Sequence, residues 1–151
     1  MIRYKQAAVS DAGILAASMR ENDRNEVLAM GMDPEDAIAS AIHMSLGDAW
    51  LFYFGEKLGG VWGVVPSNLL CGYAVPWLLT TGEVDRNKRA FFTESRRLVT
   101  ALRKKYTLMS NMIDERYVAS LRWAKRLGFT VHEAVEHGPY GARFCQITME
   151  G

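Results

Sequence analysis

Three short stretches carry side chains that can act together on a ligand. Around the predicted start of a long helix stand Glu83, Asp85, Arg86, Lys88 and Arg89. A helix start offers unpaired N–H groups and partial positive charge to an anion; the three cations add to that attraction and the two carboxylates oppose it. The stretch reads either as a phosphate site or as a capped helix with a solvated basic start. A second segment, Arg20 to Val27 with Asn22, Asp23 and Glu26, is more polar than a helix exterior requires. Third, Asn111 stands inside a largely apolar run, residues 106–113, where an amide either serves a ligand or bonds a neighbouring backbone group.

Other side chains point to less. His43, His132 and His137 show no metal-ligand spacing with cysteine or carboxylate, so no metal site is expected. Cys71 and Cys145 lie far apart and read as reduced core residues. Trp50, Trp62, Trp77 and Trp123 are dispersed and read as packing. A net charge of +1 argues against coating nucleic acid, and the basic face Arg96-Arg97 with Arg103-Lys104-Lys105 reads as the wet side of an amphipathic helix. No signal peptide or membrane span is expected: the most apolar run, residues 69–79, is broken by Gly72 and Pro76 and falls well short of roughly 18 residues.

The elements that position these residues follow from periodicity and punctuation. With 49% hydrophobic residues, the 151-residue chain can bury one core, so a single domain over residues 1–151 is expected. Residues 2–8 read as a strand. A helix capped by Ser10 follows from residue 11, kinks near residues 21–24 and stops at Gly31. Asp33-Pro34-Glu35 starts a second helix running to about Leu46. Residues 49–54 and 60–65 form a hairpin about a turn at 55–59, and residues 72–80 give an irregular strand because Pro76 cannot donate to a ladder. From Asp85 a helix of about five turns presents Phe91, Phe92, Ser95, Leu98, Val99 and Leu102 on one side. The strand 106–113 ends at Asp114, a candidate cap for a helix that closes at Gly128, and strands 130–136 and 142–149 finish the chain.

The Asn-bearing strand, the amphipathic helix behind it and its Gly128-Phe129 ending resemble the second half of the GNAT superfamily of acetyl-CoA-dependent N-acetyltransferases, and the element order resembles that family over the whole chain. The resemblance implies an α+β fold: a mixed, mostly antiparallel sheet of about seven strands, flanked by about four helices and splayed between strands four and five. It implies acetyl-CoA as cofactor. Leu78, Leu79 and Thr80 of the fourth strand and Asn111 of the fifth would meet the pantetheine arm, and Gly82, Arg86, Lys88 and Arg89 the pyrophosphate. Asn22, Asp23 and Glu26 would wall the acceptor site, with Glu83, Tyr117 and Asn111 as catalytic candidates.

The sequence departs from the family in two places. Of the glycines in the family's phosphate loop only Gly82 remains, and the position of its general-acid tyrosine, counted from Gly128-Phe129, is Ala124. Together with Trp77-Leu-Leu-Thr-Thr, the Lys/Arg-rich helix and the closing Phe144-Cys-Gln-Ile-Thr, these departures resemble the small GNAT-like internal virion proteins of short-tailed phages. That likeness implies a virion or assembly role, or a host-protein partner, in a bacterial cytoplasm or packaged particle, with a degenerate acetyl-CoA site. The alternative is a working N-acetyltransferase acting on a protein or small-molecule amine.

Overall fold

The computed structural model of the chain describes residues 2–151. Seven strands form one sheet: β1 (Ile2–Gln6), β2 (Ala49–Phe54), β3 (Lys57–Asn68), β4 (Tyr73–Thr80), β5 (Leu108–Asp114), β6 (Thr130–His137) and β7 (Ala142–Glu150), in the spatial order β1-β2-β3-β4-β5-β7-β6. Every neighbouring pair is antiparallel except β4 and β5. Parallel neighbours need a long crossover, here supplied by α4 (Glu83–Arg86) and α5 (Lys88–Lys105). The remaining helices are α1 (Ala12–Ser18), α2 (Glu21–Ala29), α3 (Pro34–Met44) and α6 (Val118–Leu127).

Two apolar clusters hold the layers together. Ala12, Leu15, Ile38 and Ile42 from α1 and α3 pack on Ala49, Leu51 and Val61 of β2 and β3. A second cluster joins Met109 and Ile113 of β5 to Ile147 and Met149 of β7, with Ala124 of α6 buried and Val99 and Leu102 of α5 packed against it. The i, i+4, i+7 spacing read along α5 is thus the spacing that buries its inner face, and Gly128 closes α6 at φ 107°, a conformation that favours glycine. Asp33 caps α3 by accepting from Asp36 N–H at 3.2 Å, with Pro34 at the first helical position.

Several expected boundaries move, each for a tertiary reason. The first helix is broken outright at Met19–Arg20 rather than kinked at 21–24. Met19 is extended and bridges Thr81, and Arg20 N–H donates to Thr80 carbonyl at 2.8 Å. Helix α3 ends at Met44, two residues early, because Leu46 takes φ 53° in the turn to β2. The hairpin turn narrows to Gly55–Glu56, and β3 runs on through Pro66 to Asn68. The irregularity expected on β4 lies on β3 instead, where the register shifts between Pro66 and Asn68. The long helix starts at Lys88, separated from the short α4 by Asn87 at φ −131°. Asp114 does not cap α6: it ends β5, and its carboxylate accepts from Arg116 N–H at 2.9 Å and from the Arg116 guanidinium at 2.7 Å, holding a turn before the helix begins at Val118.

Gly60 shows how tightly β3 and β4 approach. It sits at φ 152°, and a Cβ there would lie 2.3 Å from the Leu79 carbonyl oxygen. Gly60→Ala is expected to lower the unfolding free energy by about 3 kcal/mol in urea denaturation. Gly82→Ala, at helical φ with open space around it, is expected to change it by less than about 1 kcal/mol.

Candidate functional site: a gap between two parallel strands

Strands β4 and β5 pair only at Tyr73–Leu108 and Ala74–Met109 and then part. What they leave open follows from strand alternation. Thr81 N–H donates to Gly59 on β3, so odd residues of β4 face β3; Thr80 turns both its backbone groups away, toward the α1–α2 segment. Pro76 shares that phase, and its carbonyl accepts from Asn111 Nδ2 across the gap at 2.7 Å. Leu78 lies between them in the same phase. Its N–H and C=O therefore project into the gap, where the described residues give them no partner.

Helix α2 crosses the wide end of this gap. Its Asp23 accepts from Thr80 N–H and Thr80 Oγ1, both at 2.7 Å, and so ties down the tip of β4. One turn later along α2 stands Glu26, half-buried, whose ionised form the Asp114 backbone N–H favours. Burial is the larger effect: with Asp23 and Asp114 adding repulsion and only Arg116 opposing it, the Glu26 carboxyl is pushed up to about 8. Burial also raises Asp23, against the Thr80 hydrogen bonds and Arg20. Asp114, bonded to the Arg116 guanidinium, is held below the usual carboxylate range. Arg116 is thereby committed to Asp114, and Arg20 to Asp85 at 3.1 Å, so neither cation is dedicated to Glu26.

At the start of α5 a cleft of about 440 Å³ opens between Phe54, Gly55 and Lys57 of the β2–β3 hairpin and Glu83, Arg86, Asn87 and Ala90. A second, of about 570 Å³, lies on the other side of Lys57, Glu83 and Arg86, against Ser18, Leu58, Thr81 and Gly82. Phe91 stacks between Phe52 of β2 and Trp123 of α6, at 5.9 and 5.8 Å, and ties the start of α5 to both.

No protein-family model matches this sequence, and no curated protein matches it. Solved structures do match its fold. A spermidine N-acetyltransferase from Vibrio cholerae, in complex with CoA and spermine, superposes with a TM-score of 0.71 at 13% identity, over 99% of this chain and 95% of that one. A ribosomal-protein-alanine N-acetyltransferase from Brucella melitensis gives 0.71 at 16% identity over 99% of both chains. An acetyltransferase of the GNAT family from Streptococcus pneumoniae gives 0.65 at 11% identity over the full length of both. The fold is the GNAT acetyltransferase fold.

Within it, the residues singled out from sequence are distributed unevenly. Leu78, Thr80, Asn111 and Asp23 meet at the gap, with Glu26 one turn along α2 from Asp23, and Asn111 is engaged at both ends of its amide: its Oδ1 accepts from Met112 N–H at 2.7 Å while Nδ2 bridges to Pro76. Leu79, in the opposite phase, packs into the α1–α3 core. Asn22 is exposed on α2. Glu83 faces the hairpin clefts and pairs with Arg86 at 2.7 Å. Lys88 and Arg89 are exposed. Gly82 lies in a helical conformation that any residue adopts. Tyr117 sits at the N-terminal boundary of α6, outside the helix, with the Arg116 guanidinium 5.5 Å from its ring centre. Ala124 is sealed in the core at 0% exposure, so the helix Tyr of the GNAT pattern has no counterpart in that direction. Sequence reasoning missed Lys57, a lone turn lysine without a pattern, and the Asp114–Arg116 pair, disguised as a helix cap.

The Glu26 proton has a consequence for stability. The folded chain keeps it up to about pH 8, whereas the unfolded chain releases it near the ordinary value of 4.5. The contribution of the protonated form is complete below 4.5 and is lost as pH rises through about 8. Glu26→Gln lacks that loss. Its Tm should match the parent at pH 5 and exceed it by roughly 5 °C at pH 9, read by scanning calorimetry; an equal difference at both pH values would contradict the assignment.

Proposed function

We propose that this protein binds acyl-CoA in the β4–β5 gap and transfers the acyl group to an amine. The observation that carries the reading is the unpaired Leu78 backbone in a GNAT-fold sheet. A peptide-like arm lying in the gap would donate to that C=O as an added strand does, leaving the N–H for the acyl end of the arm. Phosphates at the arm's far end would be met by the start of α5, with Lys57 and Arg86 as the lining cations. When bound, acyl-CoA supplies the thioester whose acyl group is transferred. The chain's own part is small: Leu78 N–H polarises the acyl oxygen, Asn111 keeps the strands at their separation, and the α2 wall receives the amine. The solved neighbour holding CoA and spermine supports this reading by analogy of fold.

A second reading keeps the fold and drops the chemistry: a phage virion or assembly component that binds another virion protein or a host protein. The departures at Gly82 and Ala124 favour it, since the first provides no glycine cradle and the second no proton donor. Co-purification of the protein with phage particles would support that reading.

Calorimetry with acetyl-CoA separates the two. Micromolar binding is expected, weakened about tenfold by Lys57→Ala with Arg86→Ala. Leu78→Pro removes the gap-facing N–H without touching the β3 ladder and should lower kcat roughly 100-fold. Absence of heat at millimolar ligand would retire the acyl-CoA reading.

A further inference from the structure

The net charge of +1 averages two unlike faces. On β2, Leu51 packs with α1 and α3 while its neighbour Phe52 stacks on Phe91 of α5, so these helices cover opposite faces of the sheet. Residues 9–44, which include α1 to α3, hold seven carboxylates and two cations. Across the sheet, α5 and α6 together hold ten of the chain's 18 lysines and arginines and one carboxylate, Glu94. All ten cations are exposed, and among the described residues only Arg97 has a carboxylate partner, Glu94. Arg89, Arg96 and Arg103 recur every seven residues and so line one side of α5, about 10 Å apart along its axis. Arg126 of α6 reaches over that side, its guanidinium 4.2 Å from the centre of the Phe92 ring, with Arg96 6.0 Å from it. Arg122 stands one turn before Arg126 on α6. The five guanidiniums make one continuous patch, and none of them lines the clefts beside Lys57.

We propose that this patch binds the phosphate backbone of double-stranded DNA without reading its sequence. Such binding stands apart from acyl transfer and needs neither the gap nor a cofactor. Cations with no free carboxylate among them hold an unopposed positive field, which a phosphodiester chain neutralises. Six of the ten are arginines, whose guanidinium fork meets phosphate oxygens two at a time. A protein partner suits the patch less well. Protein interfaces have an apolar centre from which charge, lysine above all, is depleted, and α5 leaves no large apolar side chain exposed. The same lack weighs against an anionic membrane, which takes up apolar side chains beside the basic ones. An unpaired strand would need a ring on which its bases stack, and Phe92 is already covered by Arg126. An RNA duplex is recognised through its 2′-hydroxyls as well as its phosphates, yet the Thr100 hydroxyl within the patch is spent on the Arg96 carbonyl. A DNA duplex, with one charge per about 1.7 Å of axis, asks only for cations spread over a length, and α5 spans about 27 Å.

Fluorescence anisotropy of a labelled 20-base-pair DNA duplex, titrated with the full chain, tests this. With about five phosphates neutralised, affinity should fall roughly 500-fold between 50 and 200 mM salt, and a duplex of unrelated sequence should bind within about twofold. Arg103→Gln with Arg122→Gln should lower the slope of log affinity against log salt by about two and weaken binding at least about tenfold at 50 mM salt. The Tm of that variant should match the parent, because both side chains are exposed and without a carboxylate partner among the described residues. Arg3→Gln with Lys5→Gln removes as much charge from the other face of the sheet, where these residues lie in register with Tyr53 and Leu51, and should leave affinity within about twofold. No binding of the duplex at 50 mM salt, or an equal loss in the two double variants, overturns the proposal. Tighter binding of poly-glutamate or of an RNA duplex of the same length overturns it too. Displacement of the DNA by one equivalent of acetyl-CoA would assign the cations to the cofactor and overturn it as well.

Discussion

The structure depends on two neighbouring strands that stop pairing. Beyond Ala74 the phase of β4 that faces β5 contains Pro76, Leu78 and Thr80, and that phase cannot continue a ladder. Proline has no N–H to give. Both backbone groups of Thr80 are taken by the α1–α2 segment, through Arg20 N–H and the Asp23 carboxylate. Between these two positions Asn111 spans the opening and satisfies the Pro76 carbonyl at 2.7 Å, so the strands are held at one side chain's width. Closing the gap would leave the Asn111 amide and the Asp23 carboxylate without those partners, and buried polar groups are costly to strand.

The same strap accounts for the unusual electrostatics. Tying α2 to the tip of β4 brings the carboxylates of Asp23 and Glu26 near that of Asp114 at the end of β5. They settle differently because their partners differ. Asp114 has a guanidinium, Asp23 has two hydrogen bonds from Thr80, and Glu26 has chiefly its burial and its neighbours' charge. Asp114 is thereby held ionised, while Glu26 keeps its proton up to about pH 8.

Much of this was legible in the sequence, where local chemistry decides. Asp33-Pro34 and Gly128 marked helix ends and the periodicity of α5 marked its buried face, whereas the irregularity that Pro76 announced for β4 falls on β3. What the sequence hid was set by distant partners. The break at Met19 exists because Met19 bridges Thr81, 62 positions later in the chain, and nothing local announces it. Asp114 has the look of a helix cap, but Arg116 captures it first. Glu83 was the carboxylate nearest β4 in sequence, yet it turns to Arg86 and the hairpin cleft, while Asp23, 60 residues upstream, binds the tip of β4.

The central claim is that the Leu78 backbone is open in the free protein and is the place where a bound chain pairs. Amide hydrogen exchange resolved by residue addresses it directly. Leu78 N–H should exchange far faster than its ladder-bonded neighbours Trp77 and Leu79, and should become protected when acetyl-CoA is added. Protection of Leu78 equal to that of Trp77 in the ligand-free protein, or exchange unaffected by acetyl-CoA at saturating concentration, would contradict it.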